Sequence, residues 1–70
     1  MNLVLAGTNT EYHDYVAKVN KRCKQITGVS DLIGLHGLSI ILVGTYSKRQ
    51  DWLDIKSYLD FAEFVMKRGK

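Results

Sequence analysis

The chain contains one short pattern twice: an apolar run that ends in a Gly-Thr pair and then turns polar. The first copy is LVLAGTNTE at 3–11 and the second is ILVGTYSKR at 41–49. Continuously apolar runs of this length are typical of strands buried on both faces of a parallel sheet. The polar residues after each Gly-Thr pair favour a helix start. Two such strand–helix units predict parallel pairing through right-handed crossovers.

The first unit predicts a strand over 2–6 that Gly7 ends, followed by a helix. Thr8 and Glu11 have the spacing of a capping box, in which each side chain satisfies a free N–H group of the other residue. Apolar residues at helical spacing then predict one buried face of the helix. These residues are Tyr12, Tyr15, Val16, Val19 and Cys23.

The middle of the chain has two interpretations. Residues 25–27 form either a short strand, which we favour, or the last turn of the first helix with Gly28 as its C-cap. A short helical turn capped by Ser30 is predicted over 30–33. The β-branched run 38–43 is the clearest strand, closed by Gly44.

The last unit predicts a helix over 48–68 that begins at a second capping box, 47–50. Its buried stripe comprises Trp52, Ile55, Leu59, Ala62 and Met66, with Tyr58 and Val65 beside it. Leu53, Phe61 and Phe64 project away from that stripe, which predicts a self-association or partner surface.

These elements predict a single compact α/β domain over 1–70. It is a small β-α-(β)-α-β-α unit with a two- or three-stranded, mainly parallel sheet, and the first strand lies in the middle. A chain of 70 residues buries only about 60% of its unfolded surface, so tight packing or a homo-oligomer must supply further stability.

Composition limits the function classes. Cys23 is the single cysteine, which excludes an intrachain disulfide and is typical of a reducing compartment. With His13 and His36 it shows no paired metal-ligand spacing, so we expect no metal or other cofactor. No apolar run approaches the roughly 20 residues of a membrane span and no signal peptide is evident, so we expect a cytoplasmic protein without membrane contact.

Ligands of parallel α/β sheets bind outside the carboxyl ends of the strands. Two predicted helix N-termini meet at this edge, which suits a phosphate or nucleotide. However, the chain contains neither a P-loop nor a dinucleotide fingerprint. The candidate binding edge comprises Gly7, Thr8, Asn9, Thr10, Gly44, Thr45, Tyr46, Ser47, Lys48 and Arg49.

The net charge of +3 leaves nucleic acid as an alternative partner. The residues that would contact it are Lys18, Lys21, Arg22, Lys48 and Arg49. The segment IGLHGLSI at 33–40 matches the I-G-x-x-G-x-x-I pattern of KH domains. A strand pattern follows it where a KH domain requires a helix, so we do not favour that assignment.

Catalytic constellations are absent from the spacing pattern. Glu11, His13 and Asp14 are neighbours, but His13 points away from Glu11 on a helix. No activated nucleophile is evident, so we expect no catalytic residues and no enzyme activity.

The last strand–helix unit resembles small uncharacterised α/β proteins of phage and prophage type. The matching residues are Val43, Gly44, Thr45, Tyr46, Arg49, Asp51, Ile55, Tyr58 and Leu59. The opening LAGTNTEYHDY is similar to the first strand and helix of Rossmann-like nucleotide-sensing domains, although their Gly-rich second loop is not reproduced. The resemblance implies a phage-type accessory protein that binds a host macromolecule or phage nucleic acid in a bacterial cytoplasm. We favour a host protein, contacted through the candidate binding edge, the exposed part of the last helix, or both. Nucleic-acid binding and nucleotide or phosphate binding are the two alternatives.

Overall fold

The computed structural model describes residues 2–69, which form an alternating series of strands and helices. The elements are β1 (Asn2–Ala6), α1 (Asn9–Val19), β2 (Cys23–Gln25), β3 (Ser39–Val43), α2 (Trp52–Phe61) and β4 (Val65–Arg68). Two 3₁₀ turns lie at Val29–Asp31 and Tyr46–Lys48.

Within the described residues the sheet has four strands, all parallel, in the order β2-β1-β3-β4. This confirms the predicted α/β class, and β1 lies in the interior of the sheet between β2 and β3. The sheet exceeds the predicted two or three strands by β4. Because both helices follow a strand and return to the next one, each begins at the carboxyl edge of the sheet and ends at its amino edge.

The core lies on both faces of the sheet. On one face Leu5, Ile40 and Leu42 pack against Ile55 and Leu59 of α2. On the other face Val4, Ala6 and Val43 form a smaller cluster that α1 covers with half-buried tyrosines. Side chains that alternate between two apolar faces explain why β1 and β3 are continuously apolar.

The first capping box is present as predicted, because Glu11 N–H donates to Thr8 Oγ1 and Thr8 N–H donates to Glu11 Oε1, each at 3.1 Å. The helix ends earlier than its apolar pattern indicates. Asn20 adopts a left-handed conformation (φ 49°) and caps the C-terminus. Cys23 therefore lies in β2 and not on the helix, although it still packs against the α1 cluster.

The strand predicted at 25–27 is confirmed with bounds shifted to Cys23–Gln25. Ile26 follows it, and its N–H still donates to the Val4 carbonyl at 2.8 Å. The helical turn predicted at 30–33 is a 3₁₀ turn one residue earlier, and its N-cap is Gly28 instead of Ser30.

The prediction of one helix over 48–68 is wrong. The segment 46–48 is a 3₁₀ turn, and α2 begins at Trp52 without a side-chain cap, so the second capping box does not form. Glu63 adopts a left-handed conformation (φ 58°) and reverses the chain. Met66, predicted in the core stripe of that helix, and Val65, predicted beside the stripe, are exposed on β4.

Candidate functional site

The carboxyl edge brings the two predicted loops together. Gly7 follows β1, and a Cβ atom placed on it would lie 2.6 Å from the Thr45 carbonyl carbon. The backbone after β1 and the backbone after β3 are therefore in contact, and only glycine fits between them.

Glu11 links these two loops. Its carboxylate accepts from Thr45 N–H at 3.1 Å and from Thr45 Oγ1 at 3.0 Å, besides its bond to Thr8 N–H. The hydrogen bond from Thr45 N–H, more than any other, holds the pKa of Glu11 below its usual range. An internal carboxylate therefore already occupies these donors.

Arg49 links three elements at the same edge. Its guanidinium donates to the Ala6 carbonyl at 3.1 Å, to the Thr27 carbonyl at 2.6 Å and to both carboxylate oxygens of Asp51. These hydrogen bonds and the opposite charge lower the pKa of Asp51. The Arg49 side chain is 17% exposed, so it stabilises the loop and is not a free cation.

A cleft of about 550 Å³ lies beside this arginine. It is lined by Ala6, Gly7, Thr8, Asn9, Gln25, Thr27, Arg49, Gln50 and Asp51. Its volume falls in the range of small-molecule sites. The arginine and the aspartate in the lining neutralise each other, so the cleft does not favour anions.

The other predicted edge residues have separate environments. Tyr46 packs edge-on against Trp52 with 5.0 Å between ring centroids. Asn9 Oδ1 accepts from Gln25 Nε2 at 2.6 Å. Gly44 lies under the Glu11 carboxylate with φ 62°. Thr10, Ser47 and Lys48 are exposed.

The basic residues of the nucleic-acid alternative do not share one edge. Lys18 lies in the last turn of α1, and Lys21 and Arg22 follow it, all at the amino edge. Lys48 and Arg49 lie at the carboxyl edge, about 16 Å away along a helix of this length. Arg49 is engaged internally, so Lys48 is the free cation of this pair.

A different surface gathers exposed apolar side chains at the amino edge. We define the apolar corner as Ile33, Leu38, Phe61 and Val65, all of which are exposed. Backbone hydrogen bonds bring its segments together: Val65 N–H donates to the Leu38 carbonyl at 2.9 Å, and Gly37 N–H donates to the Ala62 carbonyl at 2.8 Å.

Tyr58 connects Ile33 to the rest of the corner. Its hydroxyl contacts Gly34 N–H at 3.2 Å and donates to the Leu35 carbonyl at 3.1 Å. Its ring centroid lies 6.4 Å from that of Phe61. The loop that contains Ile33 is thereby held against the end of α2.

The predicted association surface of Leu53, Phe61 and Phe64 is corrected in one residue. Phe64 is 7% exposed and belongs to the main core. The turn at Glu63 directs it inward, because the chain reverses there instead of continuing as a helix. Leu53 and Phe61 are exposed as expected.

The described residues offer little for metal or membrane chemistry. Among residues 2–69 no group of three or more His, Cys, Asp or Glu side chains is placed to hold a metal ion. Within the same range neither helix combines the length and apolar character that crossing a bilayer requires. Cys23 is partly buried and its thiol lies 3.5 Å from the Lys21 carbonyl oxygen.

Comparison of the chain with protein-family models, with curated proteins and with solved structures finds no match.

Sequence reasoning missed most of the apolar corner. The sequence pattern predicts Leu38 in a strand, Val65 beside the core stripe of a helix, and Ile33 in a short helical turn. The strand order was needed to show that the starts of β3 and β4 are adjacent. The repeated Gly-Thr pairs, by contrast, did signal that Gly7 and Thr45 meet at one edge.

Proposed function

We propose that this chain is a non-enzymatic binding module of phage type that acts by contacting a bacterial host protein in the cytoplasm. The apolar corner is its contact surface. At the carboxyl edge, where a ligand was expected, Arg49 bonds to Asp51, and Glu11 bonds to Thr8 and Thr45.

One observation carries this proposal: four large apolar side chains are exposed at one corner. Phe61 is 84% exposed and Ile33 is 67% exposed. Exposed apolar residues scattered singly are normal, whereas a cluster of them marks an interaction site. Aromatic side chains such as that of Phe61 are among the residues that can dominate protein–protein affinity.

Nucleic-acid binding is supported less well. Its five basic residues are divided between two edges, and Arg49 is bonded to Asp51 at 2.9 Å. Binding through Lys18, Lys21 and Arg22 alone would fall steeply with salt, because each phosphate contact releases counterions. Nucleotide binding in the cleft beside Arg49 would raise the melting temperature at millimolar ligand.

The test is a pull-down with the tagged chain from bacterial lysate, divided into nuclease-treated and untreated halves. We expect a specific protein to be retained in both halves. Loss of every retained protein after nuclease treatment would contradict the proposal and favour nucleic acid.

A further inference from the structure

The strand β4 is exposed along its whole length, although parallel strands are normally covered on both faces. All four of its residues, Val65 to Arg68, are exposed. It pairs with β3 on one side, and residues 2–69 contain no further strand on the other. This edge is therefore open to a further strand.

The hydrogen-bond alternation shows which backbone groups face outward. Val65 N–H donates to the Leu38 carbonyl at 2.9 Å, and Gly69 N–H donates to the Leu42 carbonyl at 2.8 Å. Successive residues of a strand direct these groups to opposite sides. The N–H and C=O groups of Met66 and Arg68 therefore point away from the sheet.

At the opposite edge of the sheet, α1 contacts the edge strand β2. The β2 strand has three residues, and the carbonyl of Cys23, which faces outward there, accepts from the Tyr12 hydroxyl at 3.2 Å. Covering a short edge strand in this way is a common defence against pairing with other chains. Within the described residues, no side chain bonds to the outward backbone groups of β4 in this way. The β4 edge is therefore more accessible to an added strand than the β2 edge.

The positive charge of β4 favours an acidic partner at the open edge. Lys67 and Arg68 lie on opposite faces of β4, and within residues 2–69 neither makes an ion pair. A second copy of β4 would bring the same two cations, Lys67 and Arg68, to this edge and no opposite charge. In the antiparallel register that pairs Met66 with the other copy's Arg68, the two copies of Lys67 stand directly opposite each other, and like charges there are destabilising.

We propose that an extended acidic segment of a partner protein adds to β4 as a fifth strand. Main-chain hydrogen bonds to Met66 and Arg68 provide affinity, and acidic side chains on both faces of the added strand pair with Lys67 and Arg68. This inference rests on the proposed protein-binding function. The apolar corner includes Val65, the first residue of β4, so one partner contacts the corner and the edge together.

The test uses two synthetic six-residue peptides, acetylated and amidated, of sequence Val-Thr-Glu-Glu-Thr-Val and Val-Thr-Lys-Lys-Thr-Val. Each is titrated into the ¹⁵N-labelled full chain to about 1 mM, the range of weak strand addition, and amide shifts are recorded. We expect the acidic peptide to shift the amides of Met66 and Arg68, and the basic peptide to shift neither.

Two variants separate the backbone from the charge. Met66→Pro removes an outward N–H while keeping the β3 hydrogen bonds, which an edge strand tolerates, and it should abolish the shift of the remaining reporter, the Arg68 amide. The double variant Lys67→Glu, Arg68→Glu keeps the backbone. It should bind the basic peptide about tenfold more tightly than the acidic peptide. Lys21→Glu, an exposed cation between α1 and β2, is the control and should leave the titration unchanged.

Absence of shifts in the wild-type chain, or an unchanged titration in the charge-reversed variant, would overturn the strand addition. Shifts confined to Ile33, Leu38 and Phe61 would also overturn it, while the proposed binding at the apolar corner would stand. In the pull-down, the informative case is a host protein that the Lys67→Glu, Arg68→Glu variant retains and the Phe61→Ser variant loses. That result would also overturn the strand addition and leave binding at the apolar corner standing.

Discussion

The carboxylate of Glu11 accepts both the backbone N–H and the hydroxyl of Thr45, at 3.1 and 3.0 Å. This contact explains why the Gly-Thr pattern occurs twice. The first copy supplies a capping box whose glutamate reaches the threonine of the second copy. The contact connects the start of α1 to the end of β3, so the two repeated units are joined at one edge.

Glu11→Gln should lower the melting temperature most at pH 7. The pKa of Glu11 is lowered from its usual value of 4.5 by the hydrogen bond from Thr45 N–H. Its carboxylate therefore stabilises the fold above about pH 4.5, and this contribution is lost as the pH falls through the lowered pKa. Thermal denaturation from pH 7 to about pH 3 should show the difference between the two proteins shrinking. Glu63→Gln is the control, and a difference that is constant with pH would contradict this role of Glu11.

Gly44→Ala should destabilise the fold more than Gly37→Ala. Both glycines have positive φ, 62° and 70°, and alanine in that conformation costs about 1 kcal/mol in either place. A Cβ atom on Gly44 would also overlap the Glu11 carboxylate, whereas nothing lies within 4 Å of one on Gly37. Urea denaturation measures both. Equal costs would mean that Glu11 does not lie over Gly44.

Arg49→Met should destabilise the fold by about 2 kcal/mol, because it leaves two carbonyls and a carboxylate without their donor. Lys48→Met is the matched control, since Lys48 is exposed on the neighbouring position and its loss should change the free energy of unfolding by less than about 0.5 kcal/mol. Similar small effects for both variants would show that Arg49 is a free surface cation.

Phe64→Ala should cost about 3–5 kcal/mol, the usual range for a buried phenylalanine, and Phe61→Ala less than about 0.5 kcal/mol. Chemical denaturation distinguishes the two. The reverse order would support a helix that continues through residue 64 and would contradict β4.

The sequence predicted the parallel α/β class and the position of β1 because β1 and β3 are buried on both faces and need continuous apolar runs. It also contained a signal that was missed: Asn20 is a common left-handed C-cap and marks the end of α1. The last turn offered no such signal. Glu63 rarely adopts positive φ, and Val65 and Met66 fit a helix as well as a strand. Pairing with β3 and burial of Phe64 outweighed the local helical pattern.

The position of the candidate site was predictable from the sequence, but the hydrogen bonds that its residues make were not. Strand order brings Gly7 and Thr45 to one edge, as expected. The bonds from Arg49 to Ala6 and Thr27 depend on how the loop before α2 folds back, which no local pattern encodes. These bonds join the loop before α2 to the ends of β1 and β2 at that edge.

The most direct test of the central claim compares Phe61→Ser with Leu53→Ser in nuclease-treated pull-downs from bacterial lysate. Both residues are exposed on α2, Leu53 at 74%, but they lie about 12 Å apart along the helix and only Phe61 belongs to the apolar corner. The wild type and Leu53→Ser should retain the same host protein, and Phe61→Ser should lose it. Equal retention by all three proteins, or loss of every partner on nuclease treatment, would contradict binding through the apolar corner.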